Sequence, residues 1–555
     1  MASVSNPSSV KVDLLIRANR IHTLQPGQSI QRALAVCGGR IWALSEEAHG
    51  LDAYIGPETH VIEKLEATVL PAFDDTHTHL VFAGLSQFDV PVHKAHDIEG
   101  ILRLLRERAA QTKPGQLITT TANWQEFNLR EQRLPTRQEL DSVTTDHPIL
   151  VKRGGHNVVA NSYAFTLCGI TPETQSPRGG HIGRDEQGRL DGLLQDSAIR
   201  LVDKIKPTVT LQSRIDGLEG ASASYAATGI GCARDCLVSL DDLAAFKATN
   251  DAGKLHVRVR ALISAIGISN MDEMDQLLSK MEPWRHLQTD PWLSIWGVKF
   301  AIDGGIEACA TEEPYANAGS HECSVPVEFR GSLLWEPGKL FDAMDMVLRR
   351  GWRIGTHAFG DRAVRILLDV YERLLQRYPY LQPGTLVMEH GGLATADQRS
   401  RAVALNIPVT IQQPLLHDIA GIEAVYLGEE RVSRMFPARA WLDEGAIVTG
   451  GSDYPVGIYG PMRSIWGMTS RQTVTGVKGF EHAITPTESV ALHTTLAAKM
   501  LSESNVRGCL TPGRFADITV WPIDPLTVGD VQYLRDLSPL YTILGGQIKH
   551  AQREN

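Results

Sequence analysis

Apolar residues follow two different spacings along the chain, and the change of spacing divides it. From Lys11 to about Leu70, the segments DLLIRANRIHTL, RALAVCGGRIWALS and THVIEKLEATVL are short runs rich in Val, Ile and Leu, with a turn at Gly38-Gly39. Runs of this kind predict strands. The same character returns near the other end, in GRFADITVWPID and SPLYTILGGQIKHA. Two β segments flanking a long middle predict one discontinuous domain, closed by pairing of the two ends.

The middle alternates differently. Compact apolar runs read as buried strands: VLPAF (69–73), ILVKR (149–153), LSIWGVKFA (293–301), WRIGTHA (352–358), TLVMEH (385–390), IPVTIQ (407–412) and GAIVTGGSD (445–453). Amphipathic stretches separate them, such as IEGILRLLRERAAQT, where Ile98, Ile101, Leu102, Leu104 and Leu105 recur at helical spacing. Repeated strand–helix units imply a parallel sheet with helices outside it. Their number fits an eight-stranded barrel better than an open sheet. The expected architecture is therefore α/β, a TIM-like (β/α)8 barrel with insertions over 69–490, flanked by β segments over 1–68 and 491–555.

Composition narrows the function classes. The chain has 555 residues, 43% hydrophobic and 21% charged, which excludes a disordered, collagenous or fibrous protein. Its net charge of −10 gives no reason to bind nucleic acid or an anionic membrane. No stretch reaches the roughly 18 unbroken apolar residues of a transmembrane helix. The start, MASVSNPSSVKVDLLI, has no basic region followed by an apolar one, so no secretory signal is read. Seven scattered cysteines suggest a reduced, cytoplasmic chain without a disulfide framework. Cys232 and Cys236 are the nearest pair, and they read as small buried residues of a strand GIGCARDC. There is no P-loop, and no strand-borne dinucleotide fingerprint. A small-molecule substrate is the expected partner, with self-association into a homo-oligomer left open.

The chemistry gathers where apolar runs end, because residues just after a barrel strand lie at its reactive mouth. His77 and His79 follow the strand VLPAFDD; two residues apart on extended chain, they face the same side and can reach one metal ion. Lys299 ends LSIWGVK, His357 ends WRIGTH, His390 ends TLVMEH, and Asp453 ends AIVTGGSD. Each alone has a bland explanation, such as a satisfied core histidine or a lysine paired with Asp303. Together, in this order, they read as a metal centre.

That order resembles the amidohydrolase superfamily, whose members carry HxH after strand one, Lys after strand four, His after strands five and six, and Asp after strand eight. VLPAFDDTHTHL, GGHNVVANSYAF, GGHIGRDEQGRLDGLLQDSA, GVKFAIDGG, HAFGDRAV, EHGG, GGSDYPV and GCLTPGRFADITVW look like its family 3, or YtcJ-like, branch. The resemblance runs from about Asp13 to Ile548. It implies that the paired ends form a small composite β-sandwich domain. Asp74 stands where the pattern usually has an aliphatic residue, and IDGGIEACATEE departs from the usual DGS-containing run.

The resemblance implies a zinc-dependent hydrolase. Neutral imidazoles and a carboxylate suit zinc, and incomplete coordination leaves room for water. Lys299, carboxylated by CO₂, would bridge one Zn²⁺ held by His77, His79 and Asp453 to a second held by His357 and His390; the alternative is one metal and an unmodified lysine. Asp453 would take a proton from water and return it to the leaving amine. His156 is a candidate for carbonyl polarisation, Asp75 and Asp361 (with Arg362) for support around the site, and Trp124, Phe127, His321, His417, Tyr454 and Arg471 for the substrate pocket. The leading expectation is hydrolysis of a non-peptide C–N bond, an amide or N-acyl linkage. The alternatives are an esterase, lactonase or carbamate hydrolase on the same centre, and last a non-catalytic barrel scaffold.

Overall fold

The computed structural model describes residues 10–155, 157–177, 180–320, 323 and 325–553. Eight parallel strands make its centre, arranged in chain order: β1 (Phe73–Thr78), β2 (Ile230–Asp235), β3 (Arg258–Ser264), β4 (Leu293–Ala301), β5 (Arg353–Ala358), β6 (Leu386–His390), β7 (Val409–Ile411) and β8 (Val448–Gly450). Every residue of β1, β2, β4 and β6 is buried. Burial on both faces is what a parallel sheet covered by helices requires, and it explains the unbroken apolar runs.

The ring closes between β1 and the end of β8. The Thr76 hydroxyl meets Thr449 Oγ1 and the Gly450 carbonyl, each at 2.9 Å, and the Asp453 N–H donates to the His77 carbonyl at 2.8 Å. Gly451 permits this approach. A Cβ there would stand 2.7 Å from the His77 nitrogen, so any side chain would push the two ends apart.

Not all apolar runs are barrel strands. Ile149–Arg153 belongs to a five-stranded sheet inserted between β1 and β2, with Ile118–Thr119, Asn157–Ala160, Gly180–Arg184 and Leu190–Asp196. The misreading has a physical cause. Ile149 and Val151 enter one apolar cluster and Leu150 another, so the strand is covered on both faces like a barrel strand. The helix Ile98–Ala109 is part of the same insertion and buries Ile98, Ile101, Leu102 and Leu105 there. Conversely, β3 escaped the hydrophobic pattern because Arg258 and Arg260 interrupt it. Both are buried, neutralised by Asp517 and Glu503.

The two ends of the chain share one seven-stranded sheet. Its order is Gln547–Ala551, Tyr541–Leu544, Ile518–Trp521, His60–Pro71, Leu14–Ile21, Gln31–Cys37 and Arg40–Ser45. The helices Pro486–Leu492 and Thr495–Met500 still pack on β8, and the second also reaches β1, so barrel helices continue past residue 490. None of the described helices is long and apolar enough to cross a membrane. All seven cysteines are free.

Candidate metal centre and active site

The strand ends converge. One ligand atom each from His77, His390 and Asp453 lie within 4.8 Å of one another. Asp453 Oδ1 is 2.8 Å from His79 Nε2 and 3.5 Å from His77 Nε2. The His390 ring lies 4.6 Å from that of His77, tilted to it, and 4.5 Å from that of His357, edge-on, centre to centre. These residues and Lys299 line one cavity of about 230 Å³. The six residues read as ligands from the sequence are thus brought to one place.

Neighbouring acceptors fix which imidazole nitrogen faces the cavity. His77 Nδ1 lies 2.7 Å from Glu389 Oε2, and His390 Nδ1 lies 2.6 Å from Gln412 Oε1. Both partners accept, so these nitrogens carry hydrogens and each Nε2 keeps a lone pair for a cation. His357 instead turns Nε2 to the Gly304 carbonyl at 3.1 Å and the Asp303 carboxylate at 3.3 Å, leaving Nδ1. Asp303 does not pair with Lys299. It accepts from the N–H groups of Ala310, Phe359 and Gly360, tying the loop after β4 to the loop after β5.

Burial and charge favour the ligating protonation states. Burial, then the positive charge of Lys299, push the His77 pKa down to about 4, so its imidazole is neutral at pH 7. Burial and the adjacent His357 and His77 hold His390 well below the ordinary histidine range. Burial opposes ionisation of Asp453, but the His79 hydrogen bond and the surrounding histidines outweigh it and keep the carboxylate ionised. Lys299 is 3% exposed and forms no hydrogen bond with any described residue. His390 and Asp453 also have positive φ, 74° and 55°, uncommon for non-glycine residues and found where structure constrains a functional position. Neutral imidazoles, an ionised carboxylate and a buried, unpartnered amine on one cavity fit a divalent cation.

A second grouping, His77, Cys236 and Glu389, is also close enough to share an ion. Its carboxylate is already engaged: Glu389 pairs with buried Arg234 at 2.7 Å and accepts from Thr410 as well as His77. Glu389, Gln412 and Arg234 were not singled out in the sequence. The available signal was a charge or amide inside an otherwise apolar strand, since such a group must have a partner.

Other expected residues have other places. Asp75 accepts from the Ser452 hydroxyl at 2.6 Å and its N–H at 3.0 Å, bracing β1 against the segment after β8, while burial raises its pKa to about 7. Asp361 accepts from the N–H of Glu312 and of Arg362, holding the loop after β4 at a helix start. Asp74 faces away from the cavity and pairs with Arg507. Trp124, Phe127, His417, Tyr454 and Arg471 are not among the described residues lining the cavity. Trp124 is packed in the insertion core and donates to the Lys152 carbonyl. Phe127 packs beside Gly421. His417 bonds the Gln472 carbonyl and lies edge-on to Trp466. Tyr454 lies edge-on to Tyr225 and Tyr459. Arg471, fully buried, caps the carbonyls of Ser433, Met435, Phe436 and Lys478. Trp124 and Arg471 are buried, and each is engaged with backbone carbonyls. His156 and His321 lie outside the described residues.

A closed parallel barrel with histidines, a lysine and an aspartate at the mouth defines a metal-dependent hydrolase. A family model described as "Amidohydrolase family" matches residues 66–550. The chain belongs to that family, in its YtcJ-like branch, and its reaction class is hydrolysis of carbon–nitrogen bonds other than peptide bonds. It is 26% identical to N-substituted formamide deformylase of Arthrobacter pascens, over 97% of this chain and 98% of that one. It is 25% identical to the putative amidohydrolase YtcJ of Bacillus subtilis, over 90% and 92%. A crystal structure of an uncharacterized metal-dependent hydrolase from Pyrococcus horikoshii OT3 superimposes with a TM-score of 0.71, at 22% identity, over 93% of this chain and 98% of that one.

Proposed function

We propose that the protein is a zinc-dependent amidohydrolase that cleaves the C–N bond of a small N-substituted amide, with Asp453 as general base and acid. The observation that carries this is the meeting of His77, His79, His390 and Asp453 around one cavity, with their partners leaving lone pairs turned inward. The full-length likeness to a protein named for formamide deformylation supports an N-acyl substrate of that type.

When bound, zinc polarises a carbonyl and acidifies water, from a pKa near 15.7 to about 7. The chain's residues do the rest. His77, His79 and Asp453 would hold one ion, and His357 and His390 a second. Lys299 would supply a further anionic oxygen donor if its neutral amine added to CO₂ and lost one proton, giving a carbamate. This accounts for an amine that is 3% exposed and forms no hydrogen bond with any described residue. The Asp453 carboxylate accepts the proton of the attacking water and returns it to the departing nitrogen. The apolar side chains Leu415, Ile419 and Phe359 limit water around the reacting carbonyl.

The reading is tested with zinc-loaded protein, N-alkylformamides and the matching formate esters, following amine or alcohol release. Amine release that exceeds the ester reaction relative to the uncatalysed rates supports it. Ester cleavage without amine release would replace it by the esterase reading on the same centre.

A further inference from the structure

A charged pair sits inside the barrel, against the metal centre. Arg234 of β2 and Glu389 of β6 are both fully buried, with Arg234 Nη2 2.7 Å from Glu389 Oε1. Gly355 of β5 makes the room, since a Cβ there would collide with both groups. Burying two charges costs desolvation that their attraction seldom repays, so such a pair is weak evidence of a purely stabilising role. Its use lies in what it forces on its neighbours. A guanidinium keeps its protons, and Glu389, paired with it, is a carboxylate that only accepts.

From that carboxylate, hydrogen bonds of fixed direction run to both histidines. Glu389 Oε2 takes His77 Nδ1–H at 2.7 Å and the hydroxyl of Thr410, on β7, at 2.9 Å. Having given its one hydrogen to Glu389, Thr410 Oγ1 can only accept from Gln412, whose amide nitrogen lies 2.9 Å away. That turns Gln412 Oε1 to His390 Nδ1 at 2.6 Å, and an oxygen there requires Nδ1 to carry the hydrogen. Every link is buried. His77 and His390 are therefore set by the same charge, although they are assigned to different ions. Without the Thr410 hydroxyl, Gln412 is free to turn its amide over. An N–H facing His390 Nδ1 would move the hydrogen to Nε2 and remove the lone pair offered to a cation.

We propose that Thr410 is a positioning residue for the metal centre: it passes the direction set by the Arg234–Glu389 pair on to Gln412, and so makes His390 present a bare Nε2 alongside that of His77. The use of those lone pairs rests on the metal-centre reading above; the direction of the chain is a property of the protein alone.

The test compares full-length wild type with Thr410→Val and Thr410→Ala, which delete the hydroxyl, and with Thr410→Ser, which keeps it. Zinc affinity is measured by chelator competition. The tautomers are read by nitrogen NMR of the stripped proteins labelled at histidine, with His77→Gln and His390→Gln identifying the two signals. Wild type and Thr410→Ser are expected to carry hydrogen on Nδ1 of both histidines and to bind zinc within about threefold of each other. Thr410→Val and Thr410→Ala should show His390 with hydrogen on Nε2 and His77 unchanged, and bind zinc about 10–100-fold more weakly. An unchanged His390 in both, an equal loss of affinity in Thr410→Ser, or weaker binding without a change of tautomer overturns the proposal. The predicted tautomers with no zinc bound even by wild type would instead remove the metal reading, while the setting of His390 by Thr410 stands.

Discussion

At the scale of single residues, the site depends on which atom each side chain is allowed to present. Asp453 is ionised because His79 and the other imidazoles outweigh its burial, and its position at φ 55° is held by the bond from its own N–H to the His77 carbonyl. Asp453→Asn keeps the size and one ligand oxygen but removes the basicity. It should retain metal and lose roughly 10²–10⁴-fold in kcat with little change in substrate affinity. Steady-state kinetics beside metal analysis check this, and turnover within about threefold of wild type at full occupancy would place the base elsewhere. Gln412 acts through His390, whose Nδ1–H it accepts. Gln412→Ala should therefore weaken metal affinity by about 10–100-fold while circular dichroism stays unchanged, a split visible in chelator competition. The ligands were legible in the sequence because each closes an apolar strand. Glu389 was not, although it directly precedes His390, because the group that explains it, His77, lies 312 residues away. Trp124, His417 and Arg471 were misassigned for a related reason: a polar or aromatic residue in a loop looks the same whether it faces a cavity or satisfies backbone carbonyls.

At the scale of elements, burial decides what a strand looks like in sequence. β1, β4, β5 and β6 were legible as apolar runs, whereas β3 was hidden by two arginines whose partners, Asp517 and Glu503, come from the far end of the chain. The strand Ile149–Arg153 gave the opposite error, since an insertion with its own core covers both its faces. The segment after β8 is joined to β1 by His493, which is 2% exposed and bonds the Asp74 carbonyl at 2.9 Å and Ser464 Oγ at 3.0 Å. Burial pushes its pKa down to about 4, although the Asp74 bond opposes this. Between that value and the ordinary 6.5, the unfolded chain binds this proton and the folded chain does not. Stability from this residue is therefore full above pH 6.5 and falls as the pH drops towards 4. Between pH 7 and 5 the loss amounts to about 2 kcal/mol. His493→Gln should show a correspondingly smaller fall in urea stability across that interval. An identical pH dependence in the two proteins would mean that His493 is not held neutral.

At the scale of the molecule, barrel and terminal sheet are joined by buried ion pairs rather than by apolar contact alone. Arg258 of β3 binds Asp517 in two places, Nε to Oδ2 at 2.7 Å and Nη2 to Oδ1 at 2.8 Å, and Asp517 also accepts from the Gly545 N–H. Removing one partner of a buried pair leaves a charge without compensation, at a cost of about 3–5 kcal/mol. Asp517→Ala should lower the thermal midpoint markedly, and Arg258→Met together with Asp517→Leu should recover much of the loss. The pairing of the chain ends was legible because both ends show the same strand character. The latch was not, because a single arginine or aspartate carries no label for its partner.

The most direct test of the whole account is metal content and amide hydrolysis measured in the same samples, before stripping with a chelator, after it, and after reloading with zinc. The account predicts that amine release from an N-alkylformamide falls with the metal and returns with it, and that His77→Ala and His79→Ala proteins, folded by circular dichroism, neither regain metal nor activity. Undiminished hydrolysis by stripped protein holding less than roughly a tenth of an equivalent of metal would contradict it.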